Sequence, residues 1–303
     1  MIQSAIHQLW RNNKSTLMLS VDLSSAIKKI STKSIMNLLN SRTTENNLAI
    51  MKSFLTDRQS FSQRFPYIKT SENSSFPKRS WLGKKIEQTI LDDVLEQVKG
   101  CDKVFVFGCN LVVLIGNDKT KEFHFLKTMA EEAAEAVYFW LELQNLKIND
   151  VIVEFVCLSE KPNSTKIPYL KFYGETHKST TVNVCGCLFD ERLKFHEYIF
   201  SQFDKIRANL IQLRPRHISN ENEYNNSLKH LFQKHVFIEI RKFAKILRKA
   251  LKSAIVKKAF SGLLDVIEEM ITAFPDKSKE HINEKIAILM KYLQLQNDIG
   301  ITA

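Results

Sequence analysis

Glycine is scarce, at 8 of 303 residues. Loops that cradle phosphate need several glycines close together, and Gly108 and Gly116 belong to neither G-x-G-x-x-G nor a Walker spacing. A nucleotide-binding loop is therefore not expected. Cysteines are also few: Cys101, Cys109, Cys157, Cys185 and Cys187 form an odd set with no framework spacing. Reduced thiols in an intracellular protein, cytoplasmic or nuclear, are the reading that follows. Long hydrophobic runs are missing as well. The longest, Val104 to Ile115, is broken by Gly108 and Asn110 and is too short to span a bilayer. Met1 to Leu23 has no apolar core followed by a small-residue cleavage site, which argues against a secretory signal.

The chain does hold ordinary globular material. It is 44% hydrophobic and 25% charged, and its 20 phenylalanines make aromatic packing plentiful. Its length suits one large or two modest domains.

Three zones follow from the pattern. Residues 1–65 read as a helical N-terminal region, with Ile2, Ile6 and Leu9 on one face, then Leu23, Ile27 and Ile30, then Ile35, Leu38 and Leu39. Leu48, Met51 and Leu55 mark a further short helix. Residues 66–80, rich in Ser, Asn and Pro, read as a linker.

Residues 81–213 read as an α+β domain. Ile86, Ile90, Val94 and Val98 mark a helix stopping near Gly100. Val104 to Phe107 and Leu111 to Ile115 read as buried strand, either two strands or one long strand kinked at Gly108. Gly116-Asn117-Asp118-Lys119 signals a turn, with Glu122 to Leu126 returning as the hairpin partner. Met129, Ala130, Ala133, Val137, Trp140 and Leu141 form a helical stripe, followed by strands at Val151 to Leu158, Tyr169 to Tyr173 and Thr181 to Leu188. A helix from about Glu191 to Leu213 closes the zone. Short connections favour a mainly antiparallel sheet, with helices on one face.

Residues 214–303 read as a helical C-terminal region. Ser227 is the expected cap of a long helix, Gly262 its expected bend, and Phe274-Pro275 its end.

The strongest feature lies in that last zone. From Lys234 to Lys258 there are nine cations and one acid, Glu239. At 100° per residue, Lys234, Arg241, Lys245, Arg248 and Lys252 fall in one stripe, flanked by Lys242 and Lys249. Val236, Ile240, Phe243, Leu247, Leu251 and Ala254 form a second stripe well away from it. Such a helix can bury one face and offer the other to phosphate, to an acidic partner or to an anionic membrane surface. The plain alternative is a solvated helix face.

Weaker candidates accompany it. Lys78, Arg79, Trp81, Lys84 and Lys85, with Phe76, and the loop residues Arg214, Arg216 and His217 place cations beside aromatics or at a proline break, a pattern that suits single strands. Glu132 and Glu135, between Glu131 and Glu142, could share a divalent ion only if a second acidic pair such as Asp92, Asp93 and Glu96 faced them. A solvated acidic face, or an internal partner for the basic helix, is the plainer account. Cys185 and Cys187 would be same-side neighbours in a strand, downstream of His177, but C-x-C in a strand is a poor zinc site. Cys109 lies in an apolar run, where a thiolate is disfavoured. His230 and His235, five apart, do not share a helical face.

The expectation is therefore an α+β protein without cofactor or resident metal. It is expected to be a non-enzymatic nucleic-acid-binding protein, taking RNA or DNA through Lys234, Arg241, Lys242, Lys245, Arg248, Lys249 and Lys252. The alternative is an adaptor that uses Ile240, Phe243, Leu247 and Leu251 on a protein partner. An enzyme whose site is assembled only by folding remains a third class.

Overall fold

The computed structural model describes residues 1–12, 14–56, 59–61, 69–71, 80–98, 100–118, 123–159, 169–172, 174–177, 181–212, 230, 232–272 and 276–293. The chain divides into two compact units, Met1–Leu193 and Lys194–Ala303. The arrangement is α+β, with helices at both ends and mainly antiparallel strands between.

The first unit is built on a four-stranded antiparallel sheet in the order β4-β5-β1-β6. Strand β1 (Lys14–Asp22) is central, between β5 (Asn110–Asp118) and β6 (Ile152–Leu158); β4 (Lys103–Phe107) forms an edge. This central strand lies inside the region expected to be helical. The reason is double-sided burial. Leu17, Leu19 and Val21 face one side and Thr16, Met18 and Ser20 the other, and all six are buried. A strand buried on both faces loses the alternation that would reveal it, and a short apolar run is ambiguous with helix.

On the first face Leu17, Leu19 and Val21 join Val113, Ile115 and Phe155 in the main core. Helices α2 (Ser24–Lys29), α3 (Thr32–Asn40), α5 (Trp81–Gln97) and α6 (Phe123–Leu143) contribute to the same core through residues such as Ile27, Ile35, Ile90 and Val137. Helix α4 (Glu45–Leu55) reaches it through Leu55.

The second face is covered by other elements. Helix α1 (Ile2–Arg11) lies against it, and a Cβ on Gly116, paired with Thr16, would sit 3.1 Å from Leu9. The hairpin of β9 (Thr181–Val184) and β10 (Cys187–Asp190) lies there too. The Asn183 N–H donates to Oε2 of Glu154, whose strand partner is Ser20, at 2.6 Å. Two further small antiparallel pairs lie among the described residues: β2 (Gln59–Phe61) with β3 (Lys69–Ser71), and β7 (Leu170–Phe172) with β8 (Glu175–His177).

Four local expectations move. Gly108, with φ +57, and Cys109 form the connection of a β4–β5 hairpin rather than a kink in one strand. Strand β5 runs on through Gly116 and Asn117 to Asp118, each paired with β1, so the expected turn there is strand. Phe123 to Leu126 opens α6 instead of returning as a strand. The expected strand Thr181 to Leu188 is split by Cys185 and Gly186, with φ +50 and +85, the conformation of a two-residue hairpin turn.

The second unit is helical among its described residues. It comprises α7 (His196–Gln212), a π turn at Gln233–Phe237, α8 (Ile238–Ala250), α9 (Ala254–Thr272) and α10 (Asp276–Leu293). Its core includes Phe203 of α7, Phe243 of α8 and Phe260 of α9, with ring centroids 6.1 Å and 5.8 Å apart for the two pairs that Phe203 makes. Helix α7, expected to close the middle zone, falls within this unit.

Candidate functional site

The two faces of α8 separate cleanly. Ile240, Phe243, Ala244 and Leu247 recur at i, i+3, i+4 and i+7 and are buried, and Leu251 continues the line just past the helix end. Tyr198 meets the edge of Phe243 at 6.0 Å, adding to the Phe203 contact. Ile240, Phe243, Leu247 and Leu251, the expected partner-binding face, are thus filled by the unit's own core.

Arg241, Lys242, Lys245, Arg248 and Lys249 occupy the exposed side of the same helix. Glu239 is the acid among them. Its carboxylate accepts from Lys242 Nζ at 2.6 Å and lies 3.8 Å from Lys205. Arg241, Lys245, Arg248 and Lys249 make no ion pair among the described residues. Burial of the apolar stripe fixes how the helix is rotated, so these charges are held out toward water.

The basic segment is not one helix. At the N-terminal end, the Ile238 N–H donates to the carbonyl of Gln233, five residues back, closing a π turn that holds Lys234. A π turn inserts one residue, so Lys234 is rotated by about 100° from the place a continuous α-helix would give it. At the other end α8 stops at Ala250. Leu251, Lys252 and Ser253 form a turn closed by the Ser253 N–H on the Ala250 carbonyl at 2.9 Å. The Ser253 carbonyl then accepts from Lys257 at 3.0 Å, in the position of an N-cap for α9. Lys252 is exposed in the turn, and Lys257 and Lys258 are exposed on α9. Gly262, the expected bend, lies inside α9, where an added Cβ would meet only Arg207 at 3.8 Å.

The other candidates disperse. Trp81, Lys84 and Lys85 are exposed in the first turns of α5. Phe76, Lys78, Arg79, Arg214, Arg216, His217 and Ser227 lie outside the described residues. Asp93 and Glu96 are engaged by Arg42, at 2.8 Å and 2.6 Å, and the Trp140 indole N–H donates to the other Asp93 oxygen at 2.6 Å. The Glu96 hydrogen bond raises the Arg42 guanidinium above its ordinary value, against an opposing loss of hydration, with Asp93 adding to it. Glu131 accepts the Lys171 N–H. Among the described residues no group of three or more His, Cys, Asp or Glu could hold a metal ion.

The thiols are equally scattered. Cys185 donates from its turn to the Phe107 carbonyl at 3.0 Å, and the turn removes it from the strand face expected to be shared with Cys187. Burial pushes the Cys101 and Cys187 thiols up to about 11. Cys109 donates to Glu87 at 2.8 Å. None of the five cysteines forms a disulfide. His230 is exposed and His235 half-buried.

Sequence reasoning missed the Arg42–Asp93–Trp140 network. Arg42 and Asp93 are 51 positions apart and Asp93 and Trp140 47, and nothing local marks either pairing. No helix among the described residues is long and apolar enough to cross a membrane. The chain matches no protein-family model and no curated protein.

Proposed function

We propose that this is an intracellular nucleic-acid-binding protein that engages phosphates through the exposed face of α8. The observation that carries this reading is the split of one helix. Arg241, Lys245, Arg248 and Lys249 face solvent without an acid among the described residues, while Ile240, Phe243 and Leu247 are locked in the core. The buried face fixes where the helix presents its cations, and each phosphate neutralised releases counterions. Four such contacts on duplex give a log–log salt slope of about −4. Lys234 and Lys252, one in the π turn and one in the following turn, extend the charge at either end rather than continuing a single stripe. An odd set of five cysteines without framework spacing fits a reducing compartment.

Phosphate contact positions a ligand without reading its bases, so the basic face implies affinity rather than sequence specificity. The adaptor reading is disfavoured by burial, because its four apolar residues would have to leave the core to reach a partner.

A filter-retention assay with the Arg241→Glu/Arg248→Glu double variant tests the proposal. Retention of duplex RNA or DNA is expected to vanish while the unfolding curve stays unchanged. Equal retention by the variant would remove α8 as the site. Co-sedimentation of wild type with anionic vesicles, without retention of nucleic acid, would instead mark a membrane-surface protein.

A further inference from the structure

Trp81 is 73% exposed, whereas the other two tryptophans, Trp10 and Trp140, are 9% and 1% exposed. An indole carries a large apolar area, and leaving it in water forgoes that much burial. Its position is nevertheless fixed. Trp81 is the first residue of α5, whose N-cap Ser80 accepts the Gly83 N–H at 2.9 Å.

Trp81, Lys84, Lys85 and Gln88 recur at i, i+3, i+4 and i+7 and are all exposed, while Ile86, Ile90 and Val94 hold the opposite face in the core. Lys85 Nζ lies 6.0 Å from the indole centroid. Neither Lys84 nor Lys85 makes an ion pair among the described residues. The nearby acids are engaged elsewhere: Glu87 accepts the Cys109 thiol, and Asp92 accepts the Gln88 amide at 2.7 Å.

An open ring flanked within one helical turn by two ammonium groups matches the needs of an unpaired nucleotide. Its base offers a π-face to stack, and its phosphates offer charge. A duplex keeps its base faces stacked inside and can use only the charges. We propose, building on the nucleic-acid reading above, that Trp81 is a stacking platform for an unpaired base. Lys84 and Lys85 hold the flanking phosphates, and the ligand class is single-stranded nucleic acid.

Trp81 reports on itself, because it is the exposed indole. Titration of the full chain with a short oligouridylate is expected to quench its emission, and a duplex of random sequence is not. Trp81→Ala is expected to weaken oligouridylate binding about tenfold and to leave duplex binding unchanged. Trp81→Phe, which keeps a ring, should retain most of the affinity. Lys84→Ala/Lys85→Ala should lower the log–log salt slope on single strand by about 1.4. Thermal melts matching wild type would confirm that each variant is folded. Full oligouridylate affinity in Trp81→Ala, with no quenching in wild type, would overturn the platform and leave the nucleic-acid reading standing. Failure of both oligouridylate and duplex to bind at low salt would overturn both.

Discussion

Cations in the two units meet different fates. Met1–Leu193 holds 25 Lys and Arg against 21 Asp and Glu, and its fold ties several of them down. Lys14 pairs with Asp102 at 2.6 Å, Lys29 with Asp150 at 2.5 Å, and Arg42 with both Asp93 and Glu96. These pairs bridge elements far apart in sequence. Lys194–Ala303 holds 19 against 12, and on α8 only Lys242 has an acid to hold among the described residues. A basic residue matched by an acid across the fold acts as a staple. An unmatched one, on a helix whose other face is full, leaves its charge exposed to solvent.

The difference can be broken most forcefully at the support of the basic face. Phe243→Ala removes a buried ring that meets Phe203 and Tyr198, and should cost about 3–5 kcal/mol. Chemical denaturation followed by far-UV circular dichroism would read the loss. In the first unit, Asp93→Ala leaves the buried Trp140 N–H without its acceptor and Arg42 with Glu96 alone, at a cost of about 1–3 kcal/mol. Trp140 emission should shift in the same experiment. Arg241→Glu/Arg248→Glu, by contrast, should move stability by no more than about 0.5 kcal/mol.

A pH effect sharpens the picture of the first unit. His177 stacks on Phe172 at 3.9 Å with its Nε2 buried and, among the described residues, unpartnered, and Glu175 stands 3.9 Å away, beyond hydrogen-bond reach. Burial lowers the imidazole below its ordinary 6.5, with Glu175 opposing. Between the folded and unfolded values the unfolded chain binds more protons, so stability is retained above pH 6.5 and declines as pH falls below it. His177→Gln should flatten that part of the stability–pH curve. The finest contrast lies within α8. Lys245→Ala should lower the duplex salt slope by about 0.9, and Lys242→Ala by less, because Glu239 already neutralises Lys242.

Periodicity carried the reading of helices whose faces differ. The stripe through Ala130, Val137 and Leu141 is buried in α6, and Ile240, Phe243 and Leu247 are buried opposite their cations. It failed where both faces are alike, as in Leu17-Met18-Leu19, the centre of the sheet. It also failed where hydrogen bonding alone sets a boundary. The Leu251–Ser253 turn contains neither glycine nor proline, and Gly262, which invites a break, is absorbed in α9. The turn at Cys185-Gly186 places a cysteine at positive φ, where sequence preference would put asparagine or glycine. The basic face was legible because nine cations crowd one segment. Its division among a π turn, a helix and a following helix was not.

Fluorescence anisotropy of labelled duplex and single strand, run across a salt series beside Arg241→Glu/Arg248→Glu, tests the central claim most directly. Duplex binding that falls steeply with salt in wild type and is lost in the folded variant is the predicted result. Binding that the variant retains in full, or no binding by wild type at low salt, would contradict the assignment of α8 to nucleic acid.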